Sequence, residues 1–259
     1  MAPVEDLVSN RRLLVAGNWK MNGGLEDARR WARAAVAAAA GAEAEVALFP
    51  PYPWLLEVGQ VLQGSQVALG AQACHPEALG AYTGGVSARM LKDAQCKYVL
   101  CGHSERRILN GESDQVVSET QRRAYEAGLA PILCVGETLP QRRAHETHGV
   151  LSRQLEEGVK ALPAGQAPAL IAYEPVWAIG TGVVATPAEA REAHGWIRLE
   201  LERLAPGHSA GVRILYGGSV KPENIVGLLA ERDVDGFLVG GASLDPAAFA
   251  TLVKARRSA

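Results

Sequence analysis

The sequence contains few of the features that mark the most easily recognised protein classes. Its four cysteines form no C-x-x-C pair, show no zinc-ligand spacing and are too few to frame 259 residues with disulfides. Reduced thiols are therefore expected. The formal net charge is only -2 at pH 7, and no basic stripe or polybasic patch indicates nucleic acid or a membrane surface. These absences leave a small molecule as the expected partner.

Long hydrophobic runs and nucleotide-binding motifs are also missing. The alanine-rich residues 34–40 are too few and too weakly hydrophobic to span a bilayer and predict a helix instead. Glu5, Asp6, Arg11 and Arg12 have no apolar core between them, which is not typical of a signal peptide, so we expect a cytoplasmic protein. Neither G-x-G-x-x-G nor G-x-x-x-x-G-K-[ST] occurs, and no dinucleotide fold or P-loop is predicted.

The sequence contains little that indicates a carbohydrate site or a metal site. Glu105 and Glu174 could form a glycosidase carboxylate pair, but only 5% of the residues are aromatic, and sugar-binding clefts commonly use aromatic faces. His145 and His148 have i, i+3 spacing but lack the H-E-x-x-H arrangement and follow Arg142, so they predict a solvated helix face. We predict neither a metal ion nor a cofactor.

The chain alternates short β-type runs with helical stretches eight times without a linker, which is typical of a parallel α/β fold. Eight units favour a closed barrel, because an open sheet of that size usually shows a second, smaller domain. We predict one (β/α)₈ barrel domain over residues 13–259 after an N-terminal extension, residues 1–12. The longer helices are predicted near residues 25–40, 112–127, 141–160 and 187–204. The strands are predicted to begin near Leu13, Glu45, Val67, Tyr98, Ala130, Ala169, Arg213 and Gly236.

Residues 173–182, Tyr-Glu-Pro-Val-Trp-Ala-Ile-Gly-Thr-Gly, place one carboxylate between an apolar strand and a glycine-containing loop. Pro175 cannot donate to a strand ladder and keeps the preceding residue extended, so Glu174 is expected at the strand's C-terminal end. Closed (β/α)₈ barrels and open doubly wound sheets both place their functional sites at the C-terminal ends of their strands. Glu174 is therefore a candidate catalytic base, and the alternative is that it pairs with a buried arginine.

Further candidates follow other predicted strands. Asn18 and Lys20 flank a tryptophan, and His103 precedes a predicted helix. Because NH groups and the helix dipole at an N-terminus oppose a nearby positive charge, a neutral imidazole is favoured at His103. The glycine pairs at residues 217–218 and 240–241 offer bare NH groups suited to a phosphate. The alternatives are a solvated lysine, a capping or core histidine, and two tight turns.

Five motifs, in this order, resemble the triosephosphate isomerase family from Leu14 to nearly the C-terminus. They are A-G-N-W-K-M-N at 16–22, G-H-S-E-R-R at 102–107, residues 173–182, Y-G-G-S-V at 216–220 and L-V-G-G-A-S-L at 238–244. The resemblance implies a TIM barrel that acts without cofactor as a cytoplasmic homodimer. It implies interconversion of dihydroxyacetone phosphate and D-glyceraldehyde 3-phosphate in glycolysis and gluconeogenesis.

The resemblance also implies a role for each candidate residue. Glu174 matches the family's base, and His103 matches its neutral electrophile. Lys20 supplies a fixed positive charge to the enediolate, Asn18 assists, and Glu105 orients Lys20.

The family's substrate-binding and lid residues match further positions. Asn18 and Lys20 contact the substrate, and backbone NH groups hold its phosphate at Gly180, Ser219, Gly240 and Gly241. The lid loop that excludes water should latch to Tyr216 and Ser219 when it closes. Its residues are Pro175, Val176, Trp177, Ala178, Ile179, Gly180, Thr181, Gly182, Val183, Val184 and Ala185.

The resemblance departs from the family pattern at the dimer interface. A glutamate usually stands at the position of Gly85 and pairs across the dimer with the arginine matching Arg106. Thr83 matches a threonine that inserts beside the partner's active site. A dimer is still expected, because one exposed ion pair contributes only about 0 to 1 kcal/mol.

The lid loop also departs from the family pattern at its C-terminal hinge, residues 183–185. The hinge is commonly Lys-Thr-Ala and reads Val-Val-Ala here.

Two other functions stay open at the level of sequence. Another phosphate-binding barrel enzyme, an aldolase or a sugar-phosphate epimerase, would need a mid-barrel lysine or several His and Asp ligands at strand ends. A catalytically silent barrel is the other alternative. The intact Asn18, Lys20, His103 and Glu174 argue against it.

Overall fold

The barrel is built from eight parallel strands that pair in chain order and close between the last and the first. The computed structural model describes residues 11–163, 168–179 and 184–257. The predicted (β/α)₈ barrel is confirmed, and each strand begins within one residue of its predicted start. The strands are β1 (Leu14–Asn18), β2 (Glu45–Phe49), β3 (Val67–Ala71), β4 (Tyr98–Cys101), β5 (Ala130–Val135), β6 (Leu170–Tyr173), β7 (Arg213–Tyr216) and β8 (Gly236–Val239).

Helices connect the strands, and short 3₁₀ turns occur at residues 52–54, 176–178, 209–211 and 241–244. None of the helices in the described part of the chain has the length and apolar character needed to cross a membrane. The α-helices are α1 (Leu25–Ala39), α2 (Leu55–Leu62), α3 (Ala88–Asp93), α4 (Ser104–Leu109), α5 (Asp114–Glu126), α6 (Leu139–Arg143), α7 (Thr147–Lys160), α8 (Pro187–Leu204), α9 (Ile225–Leu229) and α10 (Pro246–Lys254).

Side chains that alternate along the strands divide the core into two layers, since successive residues of a strand point to opposite faces. The outward layer packs against the helices. All four cysteines, which belong to one layer or the other, are free and buried. The inward layer fills the barrel, which is a packed core and not a pore. Its buried members are Leu14, Ala16, Ala47, Phe49, Tyr98, Leu100, Ile132, Cys134, Leu170, Ala172, Leu215 and Leu238.

The prediction of one helix over residues 141–160 is wrong, because α6 and α7 are separate helices. Thr138 and Gln141 form a capping box that starts α6 before the predicted point. His145 adopts a left-handed backbone conformation, with φ of 58°, and this interrupts the right-handed helix. His148 lies beside the ring of Trp196, with centroids 5.5 Å apart. Among the described residues, no group of three or more His, Cys, Asp or Glu side chains is placed to hold a metal ion.

A buried carboxylate ties both ends of the described chain to the barrel. Asp235 is fully buried and accepts hydrogen bonds from Arg11, Arg198 and Arg257 and from the Ile214 NH. A buried carboxylate is tolerated only when cations and donors replace water in this way. Arg11 belongs to the predicted N-terminal extension, of which residues 1–10 lie outside the described residues.

His194 of α8 lies beside this cluster and is fully buried. Its Nδ1 is 2.8 Å from the Asp233 carbonyl oxygen, which identifies Nδ1 as the protonated nitrogen, and Nε2 has no hydrogen-bond partner in the described part of the chain. Burial lowers the pKa of His194 to about 4, although the nearby Asp233 and Asp235 oppose the shift. His194 is therefore neutral in the folded protein.

This burial predicts a pH dependence of stability. The folded pKa of about 4 lies below the ordinary value of 6.5, so the unfolded chain binds the proton first and the free energy of unfolding should fall as pH drops from 6.5 to 4. At pH 4, the burial of neutral His194 should have lowered the free energy of unfolding by about 3 kcal/mol. This pH dependence is measured by urea unfolding of the parental protein and of His194→Asn, which keeps a donor toward Asp233. Equal pH slopes for the two proteins would contradict the assignment.

Candidate active site

The C-terminal ends of the strands surround an open cavity of about 780 Å³. Because all strands of a parallel barrel end at the same rim, polar residues that follow different strands meet there. All eight predicted catalytic and substrate-binding residues in the described ranges line this cavity: Asn18, Lys20, His103, Glu105, Glu174, Ser219, Gly240 and Gly241. The structure therefore brings these residues together at one cavity, and their catalytic and binding roles stay predictions.

Glu174 follows β6 directly, and only 2% of its surface is exposed. Its Oε2 accepts a hydrogen bond from the Ser104 NH (2.8 Å), and its Oε1 accepts one from the Ser104 hydroxyl (3.2 Å). Nε2 of His103 lies 3.1 Å from the same Oε1. Its partners thus include a serine and a histidine, and the buried Cys134 thiol also lies against it. No arginine forms an ion pair with Glu174 among the described residues, so the alternative in which it answers a buried arginine is wrong.

Two glycines allow the Glu174 backbone and side chain to lie where they do. A Cβ at Gly136, after β5, would be 1.8 Å from the Glu174 carbonyl oxygen, which is far inside any real contact distance. A Cβ at Gly217, after β7, would be 2.9 Å from the Glu174 Cγ. The position of Glu174 therefore depends on the absence of a side chain at the residue directly after each neighbouring strand.

His103 is the N-cap residue of α4, as its position before a predicted helix indicated. Its Nδ1 accepts a hydrogen bond from the Glu105 NH at 3.2 Å. A nitrogen that accepts a hydrogen bond carries no proton, so the imidazole is neutral and its hydrogen is on Nε2, which faces Glu174.

Lys20 has a left-handed backbone, with φ of 52°, which is unusual for a residue with a side chain. The Asn18 side chain accepts from the Lys20 NH (3.1 Å), and the Gln72 side chain donates to the Lys20 carbonyl (2.8 Å). The Lys20 ammonium contacts Glu105 Oε1 at 2.5 Å. The sequence interpretation missed Gln72, although a polar residue directly after β3 was a signal that could have identified it.

The glycine turns after β7 and β8 lie on the same side of the cavity. A Cβ at Gly241 would meet no atom within 4 Å, so its backbone faces open space. A Cβ at Gly240 would lie 3.4 Å from Cε of Lys20. The Gly240 carbonyl is held by the Ser243 hydroxyl at 2.7 Å. The turn after β8 therefore offers an unhindered backbone surface next to the lysine.

The predicted lid loop is described only in part, because Gly180, Thr181, Gly182 and Val183 lie outside the described residues. Residues 176–178 form a 3₁₀ turn that is anchored by Trp177, whose indole NH donates to Glu137 at 2.8 Å. The Tyr173 hydroxyl donates to the same carboxylate. Sequence reasoning missed Glu137, which follows β5 as Glu174 follows β6. The latch role of Tyr216 and Ser219 stays a prediction.

His145 and His148 are exposed, as predicted, but Arg142, which precedes them, packs against other side chains. Its guanidinium carbon lies 4.3 Å from the centre of the Trp177 ring. One nitrogen of the guanidinium is 2.6 Å from Glu189, at the start of α8. No sequence pattern indicated these contacts, because the partners are distant along the chain.

Large apolar side chains near the site are exposed in the isolated chain. Met21 is 95% exposed, Leu79 86% and Leu109 77%. The predicted interface residue Thr83 is exposed, and Gly85 donates its NH to the Tyr82 carbonyl. The third residue, Arg106, pairs within its own chain, 2.5 Å from Glu112.

Comparisons with known proteins agree on one family. The family model described as triosephosphate isomerase matches residues 13–256. The chain is 49% identical to triosephosphate isomerase of Dechloromonas aromatica, over 90% of this chain and 94% of the relative. It is also 49% identical to that of Moorella thermoacetica, over 94% and 98% of the two chains. The crystal structure of triosephosphate isomerase from Bartonella henselae superimposes with a TM-score of 0.85 at 41% identity, covering 93% of this chain and 97% of that one.

Proposed function

Because the chain belongs to the triosephosphate isomerase family, we propose that Glu174, His103 and Lys20 carry out the isomerase reaction in its cavity. The enzyme interconverts dihydroxyacetone phosphate and D-glyceraldehyde 3-phosphate, a step of glycolysis and gluconeogenesis. One observation supports the residue roles above all others. A buried carboxylate lies 3.1 Å from a neutral imidazole in a cavity that also contains a lysine and two glycine turns.

Isomerisation of a ketose to an aldose moves one proton between adjacent carbons, so one carboxylate can remove the proton and return it. Glu174 is that base. Its carboxylate is held by the Ser104 NH and hydroxyl in this structure, so it must exchange these bonds for a contact with the substrate carbon. The space left by Gly217 beside the Glu174 Cγ permits the side chain to move.

Removal of the proton creates an enediolate, whose developing oxyanion needs donors already in place. The Nε2–H of His103 is such a donor, because the Glu105 NH occupies Nδ1 and fixes the tautomer. The Lys20 ammonium adds a positive charge, and Asn18 assists by fixing the Lys20 backbone. Glu105 positions the ammonium through its 2.5 Å contact and has no part in proton transfer.

The phosphate dianion binds at the glycine turns through backbone NH groups of Ser219, Gly240 and Gly241, with a further NH from Gly180. Backbone donors suit this task because they are fixed and the absence of side chains lets the phosphate approach closely. The lid, residues 175–185, excludes water from the enediolate, which would otherwise expel phosphate. The protein needs no metal or cofactor for these steps.

We infer that the enzyme is a cytoplasmic homodimer. The exposed Met21, Leu79 and Leu109 follow β1, β3 and β4 and supply the apolar surface that a stable interface requires. Thr83 of one subunit reaches the neighbouring active site and supports Lys20. Because glycine stands at position 85, where the family usually has a glutamate, one intersubunit ion pair is missing. Arg106 pairs with Glu112 of its own chain instead.

The aldolase alternative requires a lysine in a barrel strand. None of the eight described strands contains a lysine that could form a Schiff base with an aldolase substrate. No observation favours the silent barrel either, since the polar residues meet in one cavity.

The role of Glu174 is tested by Glu174→Gln, which keeps the size of the side chain and one acceptor oxygen but cannot accept a carbon-bound proton. The kcat should fall by about 10²- to 10⁴-fold, the range typical of loss of a general base, while substrate affinity changes little. A coupled isomerase assay on purified protein measures both quantities. Glu192→Gln, on the exposed face of α8, is the control and should match the parental protein. Near-parental turnover of Glu174→Gln would show that another group is the base.

The dimer is tested at Thr83, which is exposed in the isolated chain. Thr83→Arg should dissociate the dimer and lower activity, because the larger cation cannot enter the partner's site. Gly85→Glu should strengthen association only slightly, since an exposed pair contributes about 0 to 1 kcal/mol. Sedimentation at micromolar concentration measures the assembly. A parental protein that sediments as a fully active monomer would refute the dependence of Lys20 on a neighbouring subunit.

A further inference from the structure

Arg142, in α6, bridges two chain segments that adjoin the active site. We propose that Arg142 is a positioning residue, which fixes Trp177 and, through it, the segment that carries Glu174. This inference rests on the proposed role of Glu174. Arg142 is not in contact with the described catalytic residues and therefore acts through its neighbours. Its side chain is 26% exposed, and it is held by three groups: the Trp177 ring, Glu137 and Glu189.

The first contact is with the face of Trp177. The guanidinium carbon lies 4.3 Å from the ring centre, within the range of a cation–π interaction. The indole NH, at the ring edge, donates to Glu137 at 2.8 Å. Trp177 is thus held at its face by Arg142 and at its edge by Glu137. Since it follows Glu174 by three residues, these contacts restrict the backbone that positions the base.

The second contact is with Glu137, which is fully buried. The Tyr173 hydroxyl and the Trp177 indole NH both donate to its carboxylate. Arg142 places a guanidinium nitrogen 3.5 Å from the same group. A buried carboxylate without a nearby cation is strongly destabilised. Loss of Arg142 would therefore favour displacement of Glu137 and weaken its hydrogen bonds to both aromatic side chains.

The third contact is with Glu189, at 2.6 Å from a guanidinium nitrogen. Glu189 also accepts hydrogen bonds from the Thr186 NH and hydroxyl, which completes the capping box of α8. Arg142 therefore connects the chain before residue 180 with the chain after residue 183. One terminal nitrogen faces Glu137, the other faces Glu189, and the plane covers Trp177. A lysine has one charged nitrogen and no plane, so it cannot make all three contacts.

The experiment measures kcat and KM of Arg142→Ala, Arg142→Lys and Arg143→Ala in the coupled isomerase assay. Arg142→Ala should lower kcat by about 10-fold or more, as a small displacement of a reacting group does. KM should change by less than about threefold, because Arg142 contacts neither of the described glycine turns. Arg142→Lys should recover little of the loss. Arg143 is exposed on the same short helix, and Arg143→Ala should leave both constants unchanged.

A second measurement asks whether Arg142 acts through Trp177. In a Trp177→Leu background, Arg142→Ala should lower kcat by less than about twofold further, since coupled residues are not additive. Circular dichroism melting checks that each variant is folded, and Arg142→Lys carries the test if Arg142→Ala is not. Parental kcat in Arg142→Lys, or an undiminished loss in the Trp177→Leu background, would overturn the inference. An inactive parental enzyme would instead contradict the proposed function.

Discussion

The proposed mechanism depends on one constraint: the carboxylate proposed as the base is almost completely buried. Removal of a charged group from water costs several kcal/mol unless fixed donors replace the water. At Glu174 those donors are the Ser104 NH and hydroxyl and the Nε2 of His103. They come from the residues directly after β4, so the position of the base on β6 depends on the pairing of strands around the barrel.

The same constraint explains why glycines and polar side chains collect at one rim. Gly136 and Gly217 leave space for the Glu174 backbone and Cγ, while Asn18 and Gln72 hold the left-handed Lys20. The strands begin at the other end of the barrel, where ion pairs serve stability. Burial raises the pKa of Glu45 there, but hydrogen bonds from Lys97, Tyr98 and Arg213 outweigh it and lower the pKa to about 2. The two ends of the barrel therefore divide catalysis from stability.

The sequence predicted the barrel because each strand is a short apolar run followed by turn residues, and that pattern is local. It predicted Glu174 because Pro175 ends the strand, and it predicted a neutral His103 because a helix starts there. It could not show that Ser104 holds the base or that Arg142 contacts Trp177, since each pair is far apart in the chain. It also missed the end of α6, because no glycine or proline marks His145, whose left-handed conformation depends on its surroundings.

The central claim is that one carboxylate moves a proton between adjacent carbons of the substrate. Turnover of dihydroxyacetone phosphate in D₂O, with NMR analysis of the trapped D-glyceraldehyde 3-phosphate, tests it directly. A proton held on Glu174 can exchange with solvent before it is returned, so the account predicts deuterium at C2 in a measurable fraction of the product. Product that retains only hydrogen at C2, as direct hydride transfer between the carbons would give, would contradict the account.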